Sequence, residues 1–278
     1  MFCLNKNMTL VLAHVENEEV YLLADTRMTY DDDSLGKKPF DALKIFFFNP
    51  RIAIAYAGLQ KPAHEIIMQV YLEQYWDDAE KLSSRVAELN NRNGADFLVA
   101  ESGGNKKVIK VHSGGCTTLT SWGWIGDSGA ANHIASAYTG NEIFEISKYF
   151  DSVTADPEFP KVGGYSVLAR GNKQRFKFIP HMKLTSPKYI PTPDQWQTID
   201  FGTARSGGFG YTTLSSPKHG DNGWGVYFFQ GQFGYYFNVQ LKESKFEILT
   251  GYANTVDGFI RLVENDIKQN LEYCGLLG

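Results

Sequence analysis

Two apolar runs near the start of the chain, Met8-Thr9-Leu10-Val11-Leu12-Ala13 and Val20-Tyr21-Leu22-Leu23-Ala24-Asp25-Thr26-Arg27, are separated by the polar stretch Glu16-Asn17-Glu18-Glu19. Apolar runs of this length flanking a short polar turn read as a β-hairpin. Thr9 then opens one strand, Asp25 closes its partner, and the hairpin brings the two together. A second pair of runs follows, Lys44-Ile45-Phe46-Phe47-Phe48 and Ile52-Ala53-Ile54-Ala55-Tyr56-Ala57-Gly58, turning at Asn49-Pro50-Arg51. Its strands are apolar on both faces, which suits a sheet covered on both sides.

These residues carry a resemblance. From Thr9 to about Val70 the chain resembles the β-type subunits of the proteasome and their bacterial relatives, which are N-terminal-nucleophile (Ntn) hydrolases. The intervals Thr9 to Asp25 and Lys44 to Gly58 fit that family's pattern without a gap, and Asp25 to Lys44 is slightly longer. Carried over, the resemblance implies that Thr9 is the nucleophile, that Asp25 and Lys44 are a buried ion pair beside it, and that the Gly58 amide binds an oxyanion. Ser121-Trp122-Gly123-Trp124-Ile125-Gly126-Asp127-Ser128-Gly129-Ala130 looks like the family's Gly-Ser-Gly turn opening a third helix, which adds Ser128 to the site. Val162-Gly163-Gly164-Tyr165-Ser166 looks like the Gly-Gly strand after the fourth helix. The sequence departs from the family in three places. Met8 stands where autocleaving precursors carry glycine, Asp127 intrudes in the turn, and Phe159 and Val162 occupy the positions of a supporting aspartate and serine.

The resemblance implies an α+β fold, a four-layer α/β/β/α Ntn sandwich with a C-terminal α+β extension. It also implies amide hydrolysis in a peptide or protein substrate without a cofactor, and assembly as a homo-oligomer, with room for an ATPase partner. Tyr56 and Gln60, beside Gly58, are then the substrate-binding neighbours.

The remaining chain fits a domain over 9–183 and an extension over 184–278. Ile66, Ile67, Val70 and Tyr75 form one stripe at helical spacing and Leu82, Val86 and Leu89 another, predicting one broken helix or two over 62–91. His64 has no partner pattern and reads as a solvent-facing or capping histidine. Strands are expected at 97–100, 107–111, 164–169 and 174–179, and helices at 130–138 and around Ile143, Ile146 and Phe150. Asp127 or Ser128 caps the first of those helices. Residues 184–221 are rich in proline and glycine. Three strands, 226–229, 233–240 and 245–249, and a terminal helix with Val256, Phe259, Ile260, Val263 and Ile267 on one face complete the extension.

Composition removes several function classes. A net charge of −4 leaves no global basic surface for nucleic acid. The three cysteines, Cys3, Cys116 and Cys274, are too scattered for a disulfide framework or a metal cluster, which points to a reducing, cytoplasmic setting. No apolar run approaches the roughly 18 residues needed to cross a bilayer, and Met1–Met8 lacks the pattern of a signal peptide. The triplet Asp31-Asp32-Asp33 reads as a solvated turn rather than a metal site.

A threonine of this kind works through its own α-amine, whose reference pKa of about 7.7 to 8.0 lets it accept the hydroxyl proton near neutrality. The eight residues ahead of Thr9 turn that amine into a peptide nitrogen, so the chemistry requires their removal. Autocleavage at Met8-Thr9 is one route. Translation from Met8 followed by aminopeptidase trimming is the other, and it fits better, because Met-Thr leading into an alternating strand is how leaderless bacterial relatives begin. Two rival readings remain: a non-catalytic Ntn-fold scaffold that keeps its leader, and a small-molecule amidase with Cys3 as nucleophile.

Overall fold

The computed structural model describes residues 9–28, 40–73, 76–90, 94–113, 115–138, 140, 142–164, 166–179, 196–197, 211–215, 222–228, 232–240, 245–267 and 272–273. The leader, the Asp31–Asp33 triplet, most of 184–221 and Cys274 lie outside the described residues. The chain divides into two compact units, Met1–Phe176 and Lys177–Gly278. The fold is α+β, mostly β-sheet, with five helices among the described residues.

In the first unit β1 (Leu10–Glu16) and β2 (Glu19–Asp25) form the expected hairpin in antiparallel register, Leu12 opposite Leu23 and Val15 opposite Val20. Its two-residue turn puts Asn17 and Glu18 at φ 46° and 65°, the left-handed pair that matches the twist of tight hairpins. Next come β3 (Arg27–Met28), β4 (Phe40–Ala42), β5 (Ile45–Phe47) and β6 (Ile52–Gly58). Every residue of β6 is buried, as its unbroken apolar run requires. Helices α1 (Gln60–Glu73) and α2 (Ala79–Leu89) follow. The first buries Ala63, Ile66, Ile67, Val70 and Tyr71, and the second is capped by Asp78, which accepts from the Glu80 and Lys81 amides.

The chain then runs through β7 (Ala95–Glu101), β8 (Lys107–His112), β9 (Gly115–Leu119), β10 (Trp122–Gly126), α3 (Ser128–Ala137), α4 (Ile143–Ala155), β11 (Ser166–Gly171) and β12 (Phe176–Ile179). One sheet has the order β10-β1-β2-β11-β12 and another β5-β6-β7-β8-β9. Strand β1 touches β6 and β8, and β10 touches β6, β7 and β8, while α1 and α2 pack on the second sheet and α4 on β2 and β11.

One element was not anticipated from the sequence. Residues 122–126 form β10, paired with β1 so that Leu10 faces Gly126 and Leu12 faces Trp124. The helix expected after this run starts at Ser128, two residues earlier than expected, with Asp127 as its cap, Oδ1 accepting the Ala130 amide at 2.9 Å. The two glycines made the run read as a turn; the open edge of β1 makes it a strand.

The second unit, taken by itself, contains β13 (Trp196–Gln197), β14 (Tyr211–Ser215), β15 (Asn222–Phe228), β16 (Phe233–Gln240), β17 (Lys245–Tyr252), α5 (Val256–Ile267) and β18 (Glu272–Tyr273). An antiparallel sheet of order β17-β16-β15-β14-β18 carries α5, whose Phe259 and Val263 pack against Tyr227 and Tyr236. Among the described residues no helix is long and apolar enough to cross a membrane.

Candidate active site

Asp25 ends β2 at the point where three separate parts of the chain meet. Leu10 lies across from it on β1, and Ser166 pairs with it from β11. Its Oδ1 accepts from the Leu10 amide at 3.0 Å, from Lys44 Nζ at 2.8 Å and from the Thr9 hydroxyl. Its Oδ2 accepts from the Gly163 amide at 3.0 Å. The Gly163 carbonyl in turn accepts the Thr26 and Arg27 amides at 3.2 and 2.9 Å, so the turn before β11 is stitched to the chain just past Asp25. Arg27 adds two bonds from Nη1, to the carbonyls of Pro160 and Val162.

Lys44 enters from the link between β4 and β5. The main chain holds it from both sides: the Tyr56 amide donates to its carbonyl at 3.1 Å, and the Ala42 amide to the carbonyl of Thr26 at 2.9 Å. Its Nζ donates to Asp25 Oδ1, to the Arg27 carbonyl at 2.7 Å and to Thr9 Oγ. Both side chains of the pair are wholly buried. An isolated charge at that depth is very costly, and the pair persists because each member also has further polar partners.

Thr9 is 3% exposed. Its hydroxyl donates to Asp25 and accepts from Lys44, and its carbonyl accepts the Asp127 amide at 2.7 Å. Gly126 permits that approach. At φ 99° a Cβ there would lie 1.8 Å from the Thr9 carbonyl oxygen and 3.2 Å from Ala57 Cβ, so Ala57, next to Gly58, comes close to Thr9. Gly58 closes β6 at φ 107°, where a Cβ would meet the Gly94 carbonyl at 2.6 Å. No side chain other than hydrogen suits either position.

The structure thus brings Thr9, Asp25 and Lys44 into direct contact and sets Ala57, the residue before Gly58, close to Thr9. Ser128 is different. It is exposed at the first position of α3, while the Gly126-Asp127 main chain is what touches Thr9. Gln60 is half-buried at the start of α1, and Tyr56 is fully buried. Where supporting polar side chains were expected, Phe159 stacks edge-on against His133 at 5.5 Å and Val162 is buried.

Sequence reasoning missed three contributors. The Gly163 and Asp127 amides act through the main chain, which leaves no side-chain signature. His64, expected to face solvent or cap α1, is instead half-buried with Nε2 3.0 Å from the Tyr56 hydroxyl. Burial pulls the His64 imidazole down to about 4. Burial, and next the Asp25 charge, push the Tyr56 phenol well above its ordinary range.

Chemically, the three hydrogens of the Lys44 ammonium face three acceptors, Thr9 Oγ, Asp25 Oδ1 and the Arg27 carbonyl. In that state it has no lone pair with which to take the threonine proton. Asp25 Oδ1 already serves three donors. The cluster therefore orients the Thr9 hydroxyl and supplies positive charge beside it. Among the described residues no group of three or more His, Cys, Asp or Glu side chains is placed to hold a metal ion.

No family model matches the chain. No curated protein matches it either. Among solved structures it is similar to Anbu, in a Gly-1 mutant from Hyphomicrobium sp. strain MC1, with 15% identity and a TM-score of 0.50 over 62% of this chain and 86% of that one. Anbu is an Ntn-hydrolase-like, proteasome-related protein. At this identity the likeness is one of fold alone. The expectation that the chain is a bacterial proteasome-type protein akin to proteasome β-type subunits is thereby corrected: neither a family model nor a curated relative supports membership, and what stands is a weak fold likeness in a chain that is mostly β-sheet.

Proposed function

We propose that the protein is an amide hydrolase that uses Thr9 as an N-terminal nucleophile on peptide bonds. The observation carrying this reading is the Thr9 hydroxyl held jointly by Asp25 and Lys44, both wholly buried. Burial of a charge pair against a single hydroxyl is hard to justify by stability, since such pairs rarely stabilise more than apolar replacements do.

Removal of residues 1–8 frees the α-amine of Thr9. That amine takes the hydroxyl proton as Oγ attacks the substrate carbonyl, and Lys44 stabilises the negative charge on Oγ. The Gly58 amide hydrogen binds the developing oxyanion. The C–N bond breaks, the α-amine returns the proton to the leaving nitrogen, and an ester to Thr9 remains. Water, deprotonated by the same amine, releases the acid and regenerates the threonine. Tyr56 and Gln60 contact the substrate, and Ser128 supports the α-amine from the start of α3. The packing of α1 and α2 on one sheet, of α4 on the other, and of β1 and β10 against β6 and β8 supports a four-layer α/β/β/α arrangement for the first unit.

The test is N-terminal sequencing and intact mass of the protein purified from cells with its native start, followed by peptide hydrolysis assays on the wild type and Thr9→Ala. A chain beginning at Thr9, active in the wild type and inactive in Thr9→Ala, is the expected result. A chain that keeps residues ahead of Thr9, or hydrolysis that survives Thr9→Ala, overturns the reading.

A further inference from the structure

Helix α2 is fastened to β7 at both of its ends. At its start the Ala79 amide donates to Glu101 Oε2 at 3.2 Å, where β7 finishes. At its finish the Asn90 side chain, 1% exposed, donates from Nδ2 to the Ala95 carbonyl at 2.7 Å, where β7 begins. The Asn90 amide itself closes the helix on the Val86 carbonyl at 2.9 Å. Asn90 Oδ1 meets no donor among the described residues. An amide oxygen left bare in the interior costs stability, and an apolar side chain of the same shape avoids that cost. What Asn90 supplies is therefore its donor, and the donor serves one carbonyl.

That carbonyl belongs to the residue opposite Gly58 in the β6–β7 register. Gly58 has no side chain to anchor it. A Cβ there would lie 2.6 Å from the Gly94 carbonyl oxygen and 3.1 Å from Ala95 Cα, so its main chain rests directly on the Gly94–Ala95 peptide. On the other edge of β6, strand β5 stops short: the pairing nearest Gly58 is Ile45 with Ala55, and beyond it the Tyr56 amide donates to the Lys44 carbonyl at 3.1 Å. Amides two residues apart on a strand face the same way. The Gly58 amide therefore faces the Lys44 edge, where β5 gives it no ladder partner, and its position is set from the β7 side.

We propose that Asn90 is a positioning residue for the Gly58 amide: by holding the Ala95 carbonyl it fixes the main chain on which the oxyanion-binding residue rests. This inference rests on the hydrolase reading above. A hydrogen-bond donor for a developing oxyanion works only if it is already in place when the charge appears, and a small displacement is paid in rate rather than in substrate binding. Release of the Ala95 carbonyl lets the start of β7 shift, and Gly58 shifts with it because the two main chains are in contact. Thr9, Asp25 and Lys44 are held by separate hydrogen bonds, and their arrangement does not depend on Asn90.

The experiment compares the wild type with N90L, which is close to asparagine in shape, and with N90A. Each is assayed for peptide hydrolysis, for affinity for a peptide boronic acid, whose adduct with Thr9 Oγ is a tetrahedral anion, and for hydrogen exchange of the β6 and β7 amides. The expected result in N90L is a fall in kcat of about tenfold with KM within about twofold of wild type. Affinity for the boronic acid falls by about the same factor as kcat/KM. Exchange of the β6 and β7 amides stays within about threefold of wild type, because the lost hydrogen bond and the relieved Oδ1 offset one another. In the wild type the boronic acid slows exchange of the Gly58 amide, and in N90L it slows it less. N90A carries the same activity pattern and decides the matter if N90L does not fold. Unchanged kcat, a rise in KM that accounts for the whole loss, or exchange that accelerates across β6 and β7 in step with the loss of rate each overturns the proposal. Two variants that both fail to fold overturn it too, by making Asn90 a requirement of the fold. The two readings fail separately. A wild type that begins at Thr9 yet neither hydrolyses peptides nor binds the boronic acid overturns the hydrolase reading and this one with it, whereas an active wild type matched by N90L overturns this one alone.

Discussion

Replacing Lys44 by methionine removes a charge while nearly preserving volume, and the structure sets what that costs. Three donated hydrogen bonds vanish, to Thr9 Oγ, Asp25 Oδ1 and the Arg27 carbonyl, and Asp25 is left as an uncompensated anion with neither oxygen exposed to solvent. Breaking one side of a buried pair costs about 3 to 5 kcal/mol. Lys44→Met belongs at the lower end, because Asp25 keeps the Leu10 and Gly163 amides and the Thr9 hydroxyl. Asp25→Asn belongs at the upper end. Either orientation of the new amide turns an NH2 toward donors: the Gly163 amide on one side, or Leu10, Lys44 and Thr9 on the other. The double variant D25N/K44M has no buried charge and is expected to be more stable than the sum of the two losses predicts, by about 1 to 3 kcal/mol. It nevertheless has no hydrolytic activity, since nothing then stabilises the Thr9 alkoxide. Because the chain has two units, whole-protein melting is a poor reporter, and hydrogen exchange of the β1 and β2 amides reads the relevant unit directly. A loss below about 1 kcal/mol in K44M would refute the burial argument. Hydrolysis retained in the double variant would show the pair to be structural only.

Three further outcomes follow from the same geometry. His64 binds its proton less tightly in the folded chain than in the unfolded one, about 4 against an ordinary 6.5, so between those values the unfolded state holds more protons and stability falls as pH falls. From pH 7 to pH 5 this contributes a loss of up to about 2 kcal/mol, nearer 1 after allowance for the partial exposure of the ring. Hydrogen exchange of the β6 amides at the two pH values should show that loss in the wild type and not in H64Q, and an equal loss in both contradicts the assignment. Gly126→Ala forces a Cβ to within 1.8 Å of the Thr9 carbonyl at a left-handed φ, so β1 or β10 must move. A destabilisation of about 3 kcal/mol or more is expected by hydrogen exchange of the β1 and β2 amides, and one under about 1 refutes the close approach. Thr9→Ala, finally, should abolish hydrolysis on the proposed mechanism but removes only one hydroxyl, so its stability cost in the same assay should stay near 1 kcal/mol. A much larger loss makes Thr9 a structural keystone instead.

How much of this was legible depends on whether the information was local. The meeting of Thr9 and Asp25 was, because two apolar runs around Glu16–Glu19 fix a hairpin whose register follows from its turn. Both helices over 60–89 were legible from their stripes. Lys44 was visible only as a charge opening an apolar run, and it took the resemblance to aim it at Thr9. Strand β10 was not legible. Trp122-Gly123-Trp124-Ile125-Gly126 carries the glycines of a turn, and only its partner across sequence, β1, makes it extended. The His64–Tyr56 contact joins a helix to a strand at a separation that no periodicity marks. Gly163 and Asp127 contribute amide hydrogens, which every residue but proline possesses, so their identity says nothing about their role.

Asp25 shows why the site and the fold cannot be taken apart one residue at a time. Its carboxylate accepts main-chain hydrogens from the start of β1 and from the turn before β11, and through Lys44 it is joined to the chain ahead of β5. The strand ends converge on the same carboxylate whose Oδ1 orients the Thr9 hydroxyl. Any substitution that weakens the chemistry there also loosens the meeting of those strands, and lost activity alone is ambiguous between the two. The ambiguity is lifted only by changes that separate charge from packing. The neutral pair D25N/K44M keeps the volumes and removes the field. If that variant is folded and inert, the cluster acts on Thr9 through its electrostatics, and the strands it fastens serve to hold that field in place.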